Sequence, residues 1–284
     1  MISLVGNLSA YENIAVLSAE GDSLNFKNFD ELEEGFHRFL RKYQPTVPRM
    51  NKLGTNIIKD KDMEQNLVNL FYTESLLDDM DQTSVVGNSL ESEFQKSEKS
   101  ISNAISFIEL NFPEVYSALQ TAVDSIFLRR SDVSGGGSTS NAIGVIWINH
   151  RDHWSQNDII ELLVHELTHN LVFIDELRYL HYQDYNKIVD EKNYSYSAIL
   201  QTKRPIDKVV HSIIVATEVV SLRKNHLGEP KNPCVHPPST KIIEQTLSAY
   251  DSLISMPNYN ELTTERSRHL MDSCASILKS MNKL

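Results

Sequence analysis

The sequence predicts a mostly α protein with a small β component (α+β): a helical N-terminal part, then a strand–helix core built on one H-E-x-x-H helix. Three observations lead there. Apolar residues recur at helical spacing over most of the chain. One short β-branched run, 142–148, stands out against them. The best-capped helix follows that run directly. Composition shifts at Ser131, which separates a helical N-terminal region, 1–130, from a metal-binding region with C-terminal helices, 131–284.

Phe29, Leu32, Phe36, Phe39 and Leu40 recur at helical spacing, and Pro45 and Pro48 close that segment. Leu67, Leu70, Phe71, Leu76 and Leu77 mark a second helix, which ends in the acidic residues Asp78, Asp79 and Asp81, read as a solvated face. A third runs over about 91–110, and Pro113 starts a fourth that continues towards Leu128. The polar stretch 134–141 contains Gly135, Gly136 and Gly137. It reads either as a plain linker or as a loop whose backbone approaches a ligand closely.

The apolar run 142–148 is the expected strand. Ser155, with Asp158 three residues on, forms a capping-box pattern that opens a long helix over 156–180. A Tyr-rich connection leads to Pro205, which suits the first position of a second helix, apolar nearly all round and ended by Gly228 and Pro230. Pro233, Pro237 and Pro238 form a loop. Helices over 240–255 and 261–281 finish the chain.

With Lys plus Arg at 27 and Asp plus Glu at 38, the net charge is −11. So acidic a surface argues against nucleic acid and anionic membranes as partners, because both need a basic field. Cys234 and Cys274 give no disulfide framework and no zinc-ribbon spacing. The opening residues lack a basic n-region, and no apolar run reaches the ~18 residues that span a bilayer, so the expected location is the cytoplasm.

The long helix carries His165-Glu166-Leu167-Thr168-His169. Residues four apart differ by ~40° around a helix and ~6 Å along it, so both imidazoles project from one face towards one cation. Glu166 sits ~100° round from His165, where it reaches a water beside the ion without ligating the ion itself. A third ligand comes from elsewhere. Val172 stands where a glycine turn would redirect the chain, so the helix continues and carries Asp175 ~9 Å beyond His169. The apolar helix after Pro205 offers better donors, His211 and Glu218, seven residues apart on one face. Buried polar groups need partners, and a metal is one. His211 would complete a three-histidine site, and Glu218 a site with a helical glutamate. His150 and His153 follow the strand closely. His37, His181, His226, His236 and His269 read as ordinary surface or core residues.

Several of these features together resemble the H-E-x-x-H group of 2-oxoglutarate-dependent peptide β-hydroxylases, encoded with ribosomally made, post-translationally modified peptides. The resemblance spans about residues 131–225. It rests on the Ser-rich loop at 134–141, Gly144-Val145-Ile146-Trp147, the stretch from Leu163 to Asn170 that holds the motif, then Arg204-Pro205-Ile206 and His211. It implies Fe(II) held by His165, His169 and His211, with 2-oxoglutarate and O₂ as co-substrates. A β-carbon of a precursor-peptide residue would be hydroxylated. Three protein ligands leave three open positions on an octahedral ion, which this chemistry needs. Arg204 is then the candidate partner for the far carboxylate of 2-oxoglutarate.

The alternative is a zinc metallopeptidase in which Glu166 is the general base. A third class is a peptide-binding or scaffolding domain without chemistry. Both enzyme readings expect an extended peptide along the edge of the 142–148 strand.

Overall fold

The computed structural model describes residues 7–19, 26–72, 86–87 and 93–282. The acidic residues Asp78, Asp79 and Asp81 lie outside them. Helices dominate, as the periodicity predicts, and short strands, more than the one expected, form two small sheets.

The N-terminal part holds α1 (Asn7–Ala19), α2 (Phe29–Tyr43), α3 (Lys61–Phe71), α4 (Phe94–Asn111) and α5 (Pro113–Ala122). Local chemistry fixes several starts: the Asn28 and Asp60 side chains cap α2 and α3, and Pro113 occupies the first turn of α5, where its missing N–H costs nothing.

The helix expected to run on to Leu128 stops at Ala122. Val123 is already extended, and Ser125–Leu128 is a strand, β2, buried along its whole length. A short buried apolar run has no period that separates strand from helix, which explains the misreading. The four-stranded sheet has the order β1-β2-β4-β3, with β1 at Asn56–Ile57, β3 at Gly136–Ser138 and β4 at Val145–Ile148. β1, β2 and β4 are parallel, and β3 runs antiparallel to β4. The regions expected either side of residue 130 are thus joined: β2, before it, pairs with β4, beyond it.

The strand expected over 142–148 begins only after Gly144, whose φ of +88° turns the chain into β4. Residues alternate across the sheet. Ile126, Leu128, Ile146 and Ile148 join an apolar core with α1, α2, α4, α5 and α6 (Gln156–Arg178), whereas Phe127, Val145 and Trp147 pack against α3 on the other face.

After α6 come α7 (Tyr185–Ile188) and a two-stranded sheet of β5 (Ser195–Tyr196) and β6 (Lys203–Arg204). Then follow α8 (Ile206–Leu222), a π-helical turn at Arg223–Leu227, α9 (Ser239–Ile254), α10 (Tyr259–Leu262) and α11 (Glu265–Met281). α8, α9 and α11 build a second apolar core. α6 takes part in both, with Leu163, Leu167 and Leu171 in the first and Val172 in the second. No helix among the described residues is long and apolar enough to cross a membrane.

Candidate metal centre

The capping box predicted for α6 is present. The Ser155 hydroxyl accepts from the Asp158 N–H, and the Asp158 carboxylate accepts from the Ser155 N–H at 2.8 Å. The helix so anchored runs between the sheet and α8. Two turns beyond its start it presents His165, Glu166 and His169 to a cavity of about 460 Å³. The His165 and His169 rings stand 5.0 Å apart, centroid to centroid. Burial holds both imidazoles well below their ordinary pKa, His165 with help from His236, and His169 with help first from His165 and His211. At neutral pH each therefore keeps a nitrogen lone pair, the form that binds metal.

Glu166 points into the same cavity. Its Oε1 is 3.9 Å from His165 Nε2, and its Oε2 accepts from the Ser138 hydroxyl at 2.8 Å. Burial pushes its pKa up to about 8, and the Ser138 hydrogen bond only partly opposes this. Ser138 belongs to β3, which fixes its position against α6. Asn170 completes the stitching: its carbonyl oxygen accepts from the Gly144 N–H at 2.7 Å, and its amide donates to Ser138 Oγ at 3.2 Å.

The glycines of 135–137 are no plain linker: Gly136 and Gly137 belong to β3, and all three line the cavity. A Cβ at Gly137 would sit 2.4 Å from Trp147 Nε1, and one at Gly136 would sit 2.8 Å from the Trp147 carbonyl oxygen and 3.4 Å from Glu166 Oε1. Glycine lets β3 pack this closely between Trp147 and the motif helix. β4 itself has no open edge, since β2 and β3 flank it. Any peptide that pairs with this sheet beside the cavity must therefore do so along β3 and not along 142–148.

Two further histidines stand against the motif pair. His211, on α8, meets His169 Nδ1 to Nδ1 at 3.0 Å. His236, from the loop before α9, brings its Nε2 to 2.8 Å from His165 Nδ1, and the two rings stack. Each is backed by a carboxylate on α6. Glu161 Oε1 lies 2.7 Å from His236 Nδ1. Glu176 Oε1 lies 3.4 Å from His211 Nε2, without an aligned hydrogen bond. Among the described residues no three His, Cys, Asp or Glu side chains already form a ligand cage. The imidazoles are paired, and convergence on one ion takes rotation of rings within the cavity they line.

Of the residues expected at the site, His165, Glu166, His169, His211 and Arg204 all line this cavity. Pro205 is the cap of α8 and not its first residue, so Arg204 lies one position before the cap, in β6, paired with Ser195. Glu218 is buried in α8 and does not line the cavity; its charge is felt at Cys274 on α11, where it helps burial raise the thiol pKa. Asp175 is engaged elsewhere, accepting from Asn13 at 2.6 Å, His181 at 2.7 Å and Arg266 at 2.6 Å. His150 hydrogen-bonds Ser97, and His153 is exposed.

Sequence reasoning passed over His236 and Lys208. His236 sits among prolines with no periodicity to flag it; its signal was a histidine held between Pro233 and Pro237. Lys208 lies one turn into α8, its charge 3.3 Å from Asp207, and together with Arg204 it lines the cavity near His169. The chain matches no known protein-family profile and no curated protein.

Proposed function

We propose that this protein is an Fe(II)- and 2-oxoglutarate-dependent oxygenase that hydroxylates a β-carbon in a ribosomally made precursor peptide. One observation carries the reading: neutral imidazoles suited to a metal and cations suited to a carboxylate line a single cavity. The donor set fits the ion, since His165, His169 and His211 supply three nitrogens and leave three positions open on an octahedral centre. Fe(II) held there, with 2-oxoglutarate and O₂, would supply the oxidising chemistry that a C–H bond requires and amino-acid side chains lack.

The chain's own residues do the rest. Arg204 offers a guanidinium fork to the far carboxylate of the co-substrate, and Lys208 adds a point charge beside it. Gly135, Trp154 and Leu162 wall one side of the cavity. Glu166, held by Ser138, stays largely protonated at neutral pH and orients its neighbours by hydrogen bonding. Cys234 and Cys274 are both free thiols, in keeping with a reducing, cytoplasmic setting.

A zinc metallopeptidase is the second reading, favoured by the position of Glu166. Its carboxyl faces the cavity beside His165, and in its ionised form, the minor one at pH 7, it would take a proton from a water. Zn²⁺ at the same histidines would contribute Lewis acidity.

The deciding experiment reconstitutes the protein with Fe(II) under anaerobic conditions. It then adds 2-oxoglutarate, O₂ and candidate precursor peptides encoded beside its gene. The oxygenase reading expects a gain of about 16 Da on the peptide together with succinate formation. Peptide cleavage that disappears in Glu166→Gln would replace it with the peptidase.

A further inference from the structure

Beside His211 and Phe173 lies a second, smaller cavity, of about 280 Å³, that neither activity accounts for. It sits where the ends of α2 and α3, the turn after β3, and α6, α7 and α8 come together. Its walls share Ser138, Phe173, Lys208 and His211 with the first cavity. A chain bound in one can therefore place a neighbouring side chain in the other. The volume is small for a whole ligand and ample for one side chain.

Two carboxyls stand in these walls, Glu176 on α6 and Asp207 on α8. Asp207 is 4% exposed. Lys208 Nζ lies 3.3 Å from its Oδ2, and its Oδ1 has no hydrogen-bond partner in the protein. Glu176 Oε1 lies 3.4 Å from His211 Nε2 and 3.6 Å from His181 Nδ1, and is aligned with neither. Native interiors rarely leave a buried polar atom unpaired, so two such oxygens in one cavity call for a donor from outside the chain. A carboxyl keeps acceptor capacity whether or not it is ionised, so position alone carries this step.

The rest of the wall narrows the choice of donor. Tyr43, Phe71, Phe173 and Tyr185 add aromatic rings. Glu176, Asp207 and Tyr43 all act on the Tyr185 hydroxyl, raising its pKa after burial has done so, which places the carboxyls and the tyrosines in one neighbourhood. Lysine and arginine bring donors and no acceptor, and both sit well against aromatic faces. Lys208 is the one lysine or arginine in the wall, set against two acidic groups. The net charge of −11 also favours a basic partner.

We propose that this second cavity is a recess for a basic side chain, the ammonium of lysine or the guanidinium of arginine, and that it selects peptides carrying such a residue close to the one held at the metal centre. Its use by a peptide rests on the reading proposed above; its affinity for a cation does not.

The test titrates metal-free protein with Nα-acetyl-lysine N-methylamide and its arginine counterpart, followed by the ring resonances of Tyr43 and Tyr185. The norleucine and citrulline analogues serve as uncharged controls. The cationic probes should give saturable shifts at both tyrosines, and the controls should bind about tenfold more weakly or worse. Asp207→Asn and Glu176→Gln keep the shape of the wall, and each should weaken the cationic probes about tenfold while leaving the controls unchanged. If Asp207→Asn does not fold, Glu176→Gln decides. No saturable shift with either cationic probe overturns the proposal, as do shifts that bypass both tyrosines, equal affinity for the controls, or unchanged binding in the variants. Cation binding here, in a protein that neither hydroxylates nor cleaves any peptide, sinks the functional reading and leaves the recess standing. Hydroxylation of peptides with no preference for a nearby lysine or arginine keeps that reading and overturns the selection proposed here.

Discussion

His169 and His211 face each other Nδ1 to Nδ1 at 3.0 Å, across the interface of α6 and α8. That separation is close to what two imidazoles on one octahedral ion would show. The first prediction follows from it. His165→Ala, His169→Ala and His211→Ala should each lose stoichiometric uptake of Fe(II) or Zn²⁺ in equilibrium dialysis, since removal of one of three protein ligands leaves too few. Glu218→Ala should keep it. Full metal content in His211→Ala, with loss in Glu218→Ala, would replace the three-histidine centre by one with a helical glutamate.

On the proposed reading, Arg204 should govern the co-substrate and not the metal. Arg204→Ala should weaken 2-oxoglutarate binding to the metal-loaded, anaerobic protein by about tenfold or more, as loss of a charge-assisted pair does. Arg204→Lys should recover only part, because a point charge loses the fork. Metal content should not change in either. Calorimetry gives the answer, and unaltered binding in Arg204→Ala would move the anchor elsewhere, with Lys208 the next residue to replace.

Asp175 makes part of the stability depend on acid. Burial alone would raise its pKa, but hydrogen bonds from His181 and then Arg266 outweigh it and hold the carboxyl at about 2. A depressed carboxyl stabilises the fold above its unfolded value of 3.8, and the contribution fades as pH falls towards about 2. The size is on the order of 2 kcal/mol. Asp175→Asn should therefore lower the urea midpoint clearly at pH 7, with the gap narrowing below pH ~4 as the wild type loses the same term. An equal gap at pH 7 and pH 3 would remove this account.

Gly137 has no room for a methyl group, because Trp147 is fully buried and its indole cannot yield. Gly137→Ala should destabilise the fold by about 1–3 kcal/mol, the usual result of overpacking. It should also shift the Trp147 fluorescence. Gly228, with open space around it, is the natural comparison for crowding, although its φ of +75° adds backbone strain of its own when replaced. Thermal melts of Gly137→Ala that match the wild type would mean that β3 moves freely off Trp147.

What the sequence made legible was whatever had a period or a cap. The spacing of His165 and His169, the Ser155 box and the apolar α8 all needed only local rules, and the structure carries each of them. Ser125–Leu128 escaped because four consecutive buried residues have no alternation. Gly136 and Gly137 were ambiguous because their reason lies in Trp147, about ten residues away in sequence and adjacent only after β3 pairs with β4. His236 was missed for a similar reason: what distinguishes it from other histidines is Glu161 on a different element, a relationship that no local pattern contains.

The double membership of α6 reaches beyond the chemistry. Its Leu163, Leu167 and Leu171 close one apolar core while Val172 enters the other, so neither core can open without exposing the same helix. The two halves should therefore lose structure together, which coincident urea transitions by circular dichroism and tryptophan fluorescence would show. Backbone amides of the motif segment should be the slowest in the protein to exchange with deuterium, because they open only when everything does. If the motif is a reactive centre, its alignment should last as long as the fold does and end with it.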